Sequence, residues 1–376
     1  MTELLYYKDA YLKETEATVV EIRKGGVVLD KTIFYPECGG QPGDKGTFGP
    51  FVILDTQKDE DGTPLHKVEG TVLPSVGDTY TLALDWNHRY QYMKEHTAQH
   101  LLSATLFHEA EIGTVAVHQG EEILTIETER CDIPDETLLY IEDVANRHIN
   151  ENLKVSQDEM SHEKAEALGM RRSIKVDGDV KVVFIENLDA VACGGVHIAR
   201  TGEIGSVVYR GKEMIRGHVR TIWSCSDAAT SYRRTNEKAV KECGKLLSAS
   251  AETLPSEVER LKEELTEAKR EVKELRKALA EVEFQKKAGE EKTVILSTSL
   301  SAEDMLSAAT SDSSRQVFIA EEGEKKGFLY YGTKENFGKM KAAGAVRGGG
   351  KDVLFRGTYS VPTDEILKIA REAIEN

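Results

Sequence analysis

A regular apolar seam runs through the second half of the chain, where Val258, Leu261, Leu265, Ala268, Val272, Leu275, Leu279 and Val282 alternate steps of three and four residues. Such a repeat keeps one face of a helix apolar over many turns. A long helix therefore starts near Pro255, whose fixed φ suits a first turn. An earlier helix carries Tyr232, Ala239, Cys243 and Leu246 at similar spacing. The two either pair as an antiparallel coiled-coil hairpin or meet a second subunit.

On both sides of this region the content is mixed. The length of 376 residues allows two or three domains with separate cores. The pattern divides the chain into residues 1–85, 86–227, 228–290 and 291–376. In the first part, short strands (Ala17 to Ile22, Val27 to Leu29, Thr32 to Tyr35, Val52 to Asp55, Leu65 to Val68, Tyr80 to Asp85) predict a small β-barrel. The run FYPECGGQPGDKG, Phe34 to Gly46, breaks that pattern with glycines and prolines and predicts a tight loop with exposed backbone.

The second part reads as one α+β domain. A helix from Trp86 to Ala110 places Tyr90, Met93, His100, Ala104 and Phe107 on one side. Strands follow at Thr114 to Val117 and Ile123 to Glu127. A helix from about Asp135 to Asn152 then turns Leu138, Ile141, Ala145 and Ile149 inward, and strands at Val180 to Ile185 and Ile204 to Tyr209 flank the turn ACGGVHIARTG. The last part predicts a small α/β domain, with strands near Thr293, Val317 and Phe328, a loop at AAGAVRGGGKDVLFRG, and an amphipathic helix from Thr363.

Composition excludes several classes. No apolar run is long enough to cross a bilayer, and the N-terminus has neither the basic start nor the apolar stretch of a signal peptide, so a cytosolic protein is expected. Five scattered cysteines do not make a disulfide scaffold and leave thiols free for metal. The net charge of -16 argues against non-specific coating of nucleic acid, which depends on neutralising phosphates. Any nucleic-acid contact must be local.

His96 and His100 in EHTAQH lie one helical turn apart on one face. The zinc-protease motif would need Glu after the first histidine, and Thr97 stands there. By itself the pair fits either a metal site or two partly buried histidines. Cys193 and His197 in CGGVH add a thiolate and an imidazole on a glycine-broken turn. An inert buried thiol does not account for the histidine four residues later. One cysteine and three histidines suit zinc, which accepts sulfur and nitrogen alike. Four ligands close a structural site, whereas catalysis needs an open position. The expectation is that one ligand is loose, leaving a position for a zinc-bound hydroxide that attacks an ester carbonyl; the alternative is that the ion holds the amino acid while a separate water attacks.

EHTAQH, CGGVH and RTGEIG, preceded by FYPECGGQPGD and followed by a helical region and RGGGKD, together resemble the editing half of alanyl-tRNA synthetase. Without an amino-acid-activating domain, the chain resembles the free-standing alanyl-tRNA editing proteins of the AlaX family, in their large form with a DHHA1-like C-terminal domain. The fold implied is α+β: a β-barrel, a zinc editing domain, a coiled-coil hairpin and a small α/β domain.

This resemblance implies a zinc-dependent deacylase that hydrolyses Ser-tRNA(Ala), and by extension Gly-tRNA(Ala). The zinc ligands would be His96, His100, Cys193 and His197. Gln119 in VHQGEE would face the substrate, and Gly39, Gly40 and Gln41 would support its acyl end. Arg347, Gly348, Gly349, Gly350, Lys351 and Arg356 would contact tRNA, the alternative being a tight loop with ordinary surface charges. A homodimer through the coiled coil or the C-terminal domain is a further expectation.

Val196 and Cys38 depart from the threonine and serine usual at their positions. A pocket made for alanine rejects serine or glycine only weakly, about a few hundredfold at best, so errors need later removal. Competing readings are a non-catalytic, zinc-stabilised coiled-coil protein, an intact ligase, which would need an ATP-binding domain, and a phosphoesterase, whose acidic metal motifs are missing.

Overall fold

Alternation of inward apolar and outward polar residues closes the first sheet. Ala17 and Val19 turn inward from the strand Glu14–Arg23 and meet Val27, Leu29, Phe48, Ile53 and Leu82 in a buried core. Six strands close the barrel in the order Glu14–Arg23, Gly26–Leu29, Pro64–Val68, Phe51–Lys58, Gly46–Phe48 and Thr79–Leu84, the last pairing back with the first. The expected N-terminal barrel is thus present. Of the expected strand at Thr32 to Tyr35 only Thr32 is paired, in the two-residue strand Lys31–Thr32, which runs parallel to Glu3–Leu4. The next residues give their backbone to side chains instead, because Arg89 donates to the Ile33 carbonyl and the Tyr35 N–H donates to Asp44.

The computed structural model describes residues 2–120, 122–174, 178–324 and 326–375. It contains two compact units, Met1–Val240 and Lys241–Asn376. Among the described residues, no helix is long and apolar enough to cross a membrane.

After the barrel comes the helix Trp86–Ala110, capped by Asp85, whose carboxylate accepts from the His88 N–H at 3.2 Å. Every residue from Glu95 to Leu106 is buried. The one-sided helix expected from sequence is therefore a central helix surrounded by protein, packed against the helix Asp135–Asn150, the strands of a four-stranded sheet and the strand Asp189–Ala192. That sheet has the order Val207–Ile215, His218–Cys225, Leu124–Thr128, Thr114–Gln119, and a three-stranded sheet joins Val155–Met160, Val180–Ile185 and Asp189–Ala192. Ile204 ends a short 3-10 helix, Thr201–Ile204, so the strand expected from Ile204 begins at Val207.

The helix Ser226–Leu247 leads out of the first unit. The helix Leu254–Ala288 has its proline in the first turn and buries only Ala280, Phe284 and Ala288. The apolar seam from Val258 to Val282 is otherwise exposed, with Leu265, Leu275, Leu279 and Val282 each more than half accessible. The second unit is built on a five-stranded sheet, Thr293–Thr298, Gln316–Glu321, Gly327–Tyr331, Leu354–Tyr359 and Val346–Lys351, backed by the helix Thr363–Glu375. The segment read as an Arg-Gly-rich loop is here an edge strand paired with its neighbour.

Candidate metal centre

A helix buried on all sides must account for its polar side chains, since each buried polar group needs a partner. On the central helix these include Arg89, His96, Thr97, Gln99 and His100. Arg89 is fully buried and pairs with Asp44 of the GGQPGD loop, while a further N–H reaches the Ala10 carbonyl at 3.0 Å. The pair fastens the barrel loop to the helix.

His96 and His100 stack one turn apart, with ring centroids 4.8 Å from each other. The ring of His197 lies 4.4 Å from His96 and 5.1 Å from His100. Cys193 leaves the strand Asp189–Ala192 so that its Sγ sits 3.3 Å from Nε2 of His96 and 3.5 Å from Nε2 of His197. The four donor atoms lie within 4.8 Å of one another. Around tetrahedral zinc, bonds of about 2.3 Å to sulfur and 2.0–2.1 Å to nitrogen separate these donor types by roughly 3.5 Å. The arrangement fits such an ion. Both ring nitrogens of His100 are buried without a hydrogen-bond partner, a cost that a cation would remove for the one that ligates it.

Burial pushes His96 down to about 4 and holds His100 and His197 well below the ordinary imidazole range, so all three rings are neutral donors. Burial also raises the Cys193 thiol to about 11, opposed by the Gly195 N–H at 3.4 Å. A thiolate there needs a cation beside it.

Neighbouring groups fix each donor's orientation. Gly39 and Gly40 both have positive φ, as the centre of a type I′ turn requires, and Cys38 and Gln41 exchange two backbone hydrogen bonds of 3.1 Å across it. This turn delivers the Gln41 Oε1 to within 2.8 Å of His96 Nδ1. Accepting that N–H leaves Nε2 of His96 free to ligate. Thr97 donates to the Met93 carbonyl at 2.9 Å and so can accept from His197 Nδ1, 3.3 Å away. Gln157 donates to the Cys193 carbonyl at 2.8 Å. At Gly195 a Cβ would come within 2.2 Å of His96 Cε1, so glycine is needed there for close approach.

A cavity of about 710 Å³ opens onto the cluster, lined among others by Tyr35, Cys38, Gly39, Gln99, Thr114, Arg171, Arg172 and Lys181. The structure thus brings Gln41 to His96 and sets Cys38 and Gly39 at the cavity wall. Gln119 is buried at the end of its strand, with both amide atoms unpartnered, and does not belong to the cavity lining. Val196 is buried in the apolar core. Thr114, whose hydroxyl is buried without a partner, and the adjacent Arg171 and Arg172 were missed by sequence reasoning. The arginine doublet was a visible signal, but nothing local tied it to residues 193–197.

Arg347, Gly349 and Lys351 alternate onto one face of the edge strand, and Arg356 sits directly opposite Gly349 in register, so the three exposed cations share a face. The core face of this hairpin carries Val346, Phe355 and Tyr359. There a Cβ on Gly348 or Gly350 would come within 2.1 Å or 1.9 Å of a neighbouring carbonyl oxygen.

Residues 5–88 match the family of class II (A) tRNA synthetases, and residues 180–220 match the threonyl and alanyl tRNA synthetase second additional domain. The alanine–tRNA ligase of Pyrococcus abyssi is 34% identical over 273 residues, and that of Saccharolobus islandicus 31% over 280. Each alignment takes in 69% of this chain, which spans only 30% of the ligase's length. The alanyl-tRNA editing protein AlaX-M of Pyrococcus horikoshii is 36% identical over 213 residues, 55% of this chain and 89% of that protein. A likeness that takes in nearly all of an editing protein, together with the synthetase domain match around the Cys193 turn, means that this chain belongs to the AlaX family of alanyl-tRNA editing proteins.

Proposed function

We propose that the protein is a trans-editing deacylase that hydrolyses the ester of tRNA(Ala) mischarged with serine, and secondarily with glycine. The observation that carries this reading is the convergence of the His96, His100, Cys193 and His197 donors, the first three at the wall of a cavity large enough for an aminoacyl ester. These four residues would hold zinc, which when bound supplies Lewis-acid stabilisation of negative charge on an acyl oxygen.

The chain's own groups do the rest. Gln41 and Thr97 hold His96 and His197 with Nε2 turned toward Cys193. With all four donors converging, either a water or an acyl oxygen would need one of them to withdraw. Polar groups of the lining offer a serine side chain a hydrogen bond that alanine cannot use. Discrimination through a buried polar partner is stronger than rejection by size. Gln119 keeps an expected role as a substrate-side residue, its amide buried without a partner.

We assign the second unit to tRNA contact and self-association. The shared cationic face of Arg347, Lys351 and Arg356 supports the first role, and the exposed seam of the helix Leu254–Ala288 supports the second. A DHHA1-like domain remains the expected identity of residues 291–376.

The test is deacylation of Ser-, Gly- and Ala-tRNA(Ala) by the zinc-loaded full chain and by Cys193→Ala. Hydrolysis of the seryl ester, sparing of the alanyl ester and loss in the variant are expected. Full zinc-dependent activity of Cys193→Ala would remove the ligand assignment, and absence of all hydrolysis would leave a zinc-stabilised binding protein.

A further inference from the structure

Three cations stand around the cavity beside the His/Cys cluster, and they differ in what neutralises them. Arg171 is tied to Asp189 at 3.0 Å, both side chains almost wholly buried. Lys181 donates to Glu159 at 2.8 Å and lies over the Tyr7 ring, 4.1 Å from its centroid. Arg172 has neither hydrogen bond nor ion pair among the described residues, although it is partly buried and lines the cavity. Asp179 also lines the cavity, but it is exposed and makes no ion pair with Arg172.

A half-buried guanidinium without a partner is costly, and its burial beside Arg171 weakens its hold on the proton. Its planar fork of donors matches a phosphate. Arg172 lines the same cavity as His96, His100 and Cys193.

We propose that Arg172 is the phosphate anchor of the cavity, binding the phosphodiester immediately 5′ of the esterified nucleoside so that the acyl ester lies at the His/Cys cluster. This rests on the editing reading above. It also gives an acidic protein a local cation at the reacting end. Arg172 is a positioning and binding group, and it exchanges no proton with the ester.

The test uses the zinc-loaded full chain, wild type, Arg172→Gln and Arg172→Lys. The first readout is binding of the trinucleotide CpCpA by fluorescence anisotropy across a salt series. Arg172→Gln is expected to weaken binding about tenfold. The slope of log affinity against log salt should fall by about 0.7, the value for one lost contact to a single strand. Arg172→Lys should restore part of both.

The second readout is the ratio of kcat/KM for Ser-tRNA(Ala) to that for seryl-adenosine, which lacks the phosphodiester. In Arg172→Gln it should fall about tenfold, chiefly through KM. Unchanged CpCpA affinity and slope in Arg172→Gln overturn the anchor. So does an unchanged ratio. Arg172-dependent binding of CpCpA by a wild type that hydrolyses no seryl ester would retain the phosphate contact and overturn the editing reading instead.

Discussion

Gln41, on a two-glycine turn of the barrel, sets its Oε1 2.8 Å from Nδ1 of His96, 55 residues along the chain on the central helix. The same oxygen accepts from the Val196 N–H at 3.2 Å, so one amide joins three segments that build the site. Gln41 was expected to support the substrate; its contacts in the structure are with a metal-ligand candidate and the Cys193 turn.

Removing that amide frees the His96 ring to rotate and to change tautomer. Gln41→Ala is expected to lower zinc affinity about 10–100-fold, the usual cost of losing such a supporting hydrogen bond. Competition with a chelating dye measures it, and an affinity equal to wild type would refute the positioning role.

Acidification should destabilise the metal-free protein through its buried histidines. His66 and His96 have an ordinary value of 6.5 and are brought down by burial to about 4, and His100 and His197 are shifted in the same direction. Between pH 6.5 and 4 the unfolded chain takes up protons that the folded chain excludes. The contribution of neutral burial is therefore complete above 6.5 and is lost as pH falls, by up to about 1.4 kcal/mol per pH unit for each ring. Urea unfolding of the apoprotein at pH 7.5, 6 and 5 should show a falling free energy, and a flat profile would contradict neutral burial.

Arg89 and Asp44 form an ion pair with side chains 0% and 3% accessible, at the joint of barrel loop and central helix. Arg89→Met leaves a buried carboxylate uncompensated and should cost about 3–5 kcal/mol. Adding Asp44→Asn should recover part of it, because the pair is removed together. Denaturant midpoints of the two variants decide the matter, and a double variant less stable than Arg89→Met would exclude this account.

The exposed seam predicts association. Val258, Leu261, Leu265, Val272, Leu275, Leu279 and Val282 are all at least 40% accessible in the single chain. Sedimentation equilibrium of the full protein should give a dimer, and Leu265→Glu combined with Leu275→Glu should give a monomer with unchanged helix content. A wild type that remains monomeric at every concentration would show that the seam does not mediate self-association.

Much of the local structure follows from spacing alone. The limits of the helix Trp86–Ala110, the strand Val180–Ile185 and the inward face of Leu138, Ile141, Ala145 and Ile149 agree with periodicity, because each depends on contacts within a few residues. Paired glycines at 39 and 40 announce a turn, since only residues tolerant of positive φ take both central places. The donor types at 96, 100, 193 and 197 were likewise legible, because helical and turn spacing put each pair on one side.

What the chain order by itself does not contain is which distant groups meet. Burial of the central helix on every side, the reach of Gln41 to His96, and the compensation of Arg171 but not Arg172 depend on how separate sheets pack around one helix. So does the strand at Val346–Lys351, where pairing with Leu354–Tyr359 overrides the loop preference of three glycines. Periodicity reports one element's apolar face. Partners brought together across 55 to 155 residues are selected by close packing and hydrogen-bond satisfaction in the folded whole, and no local pattern records them.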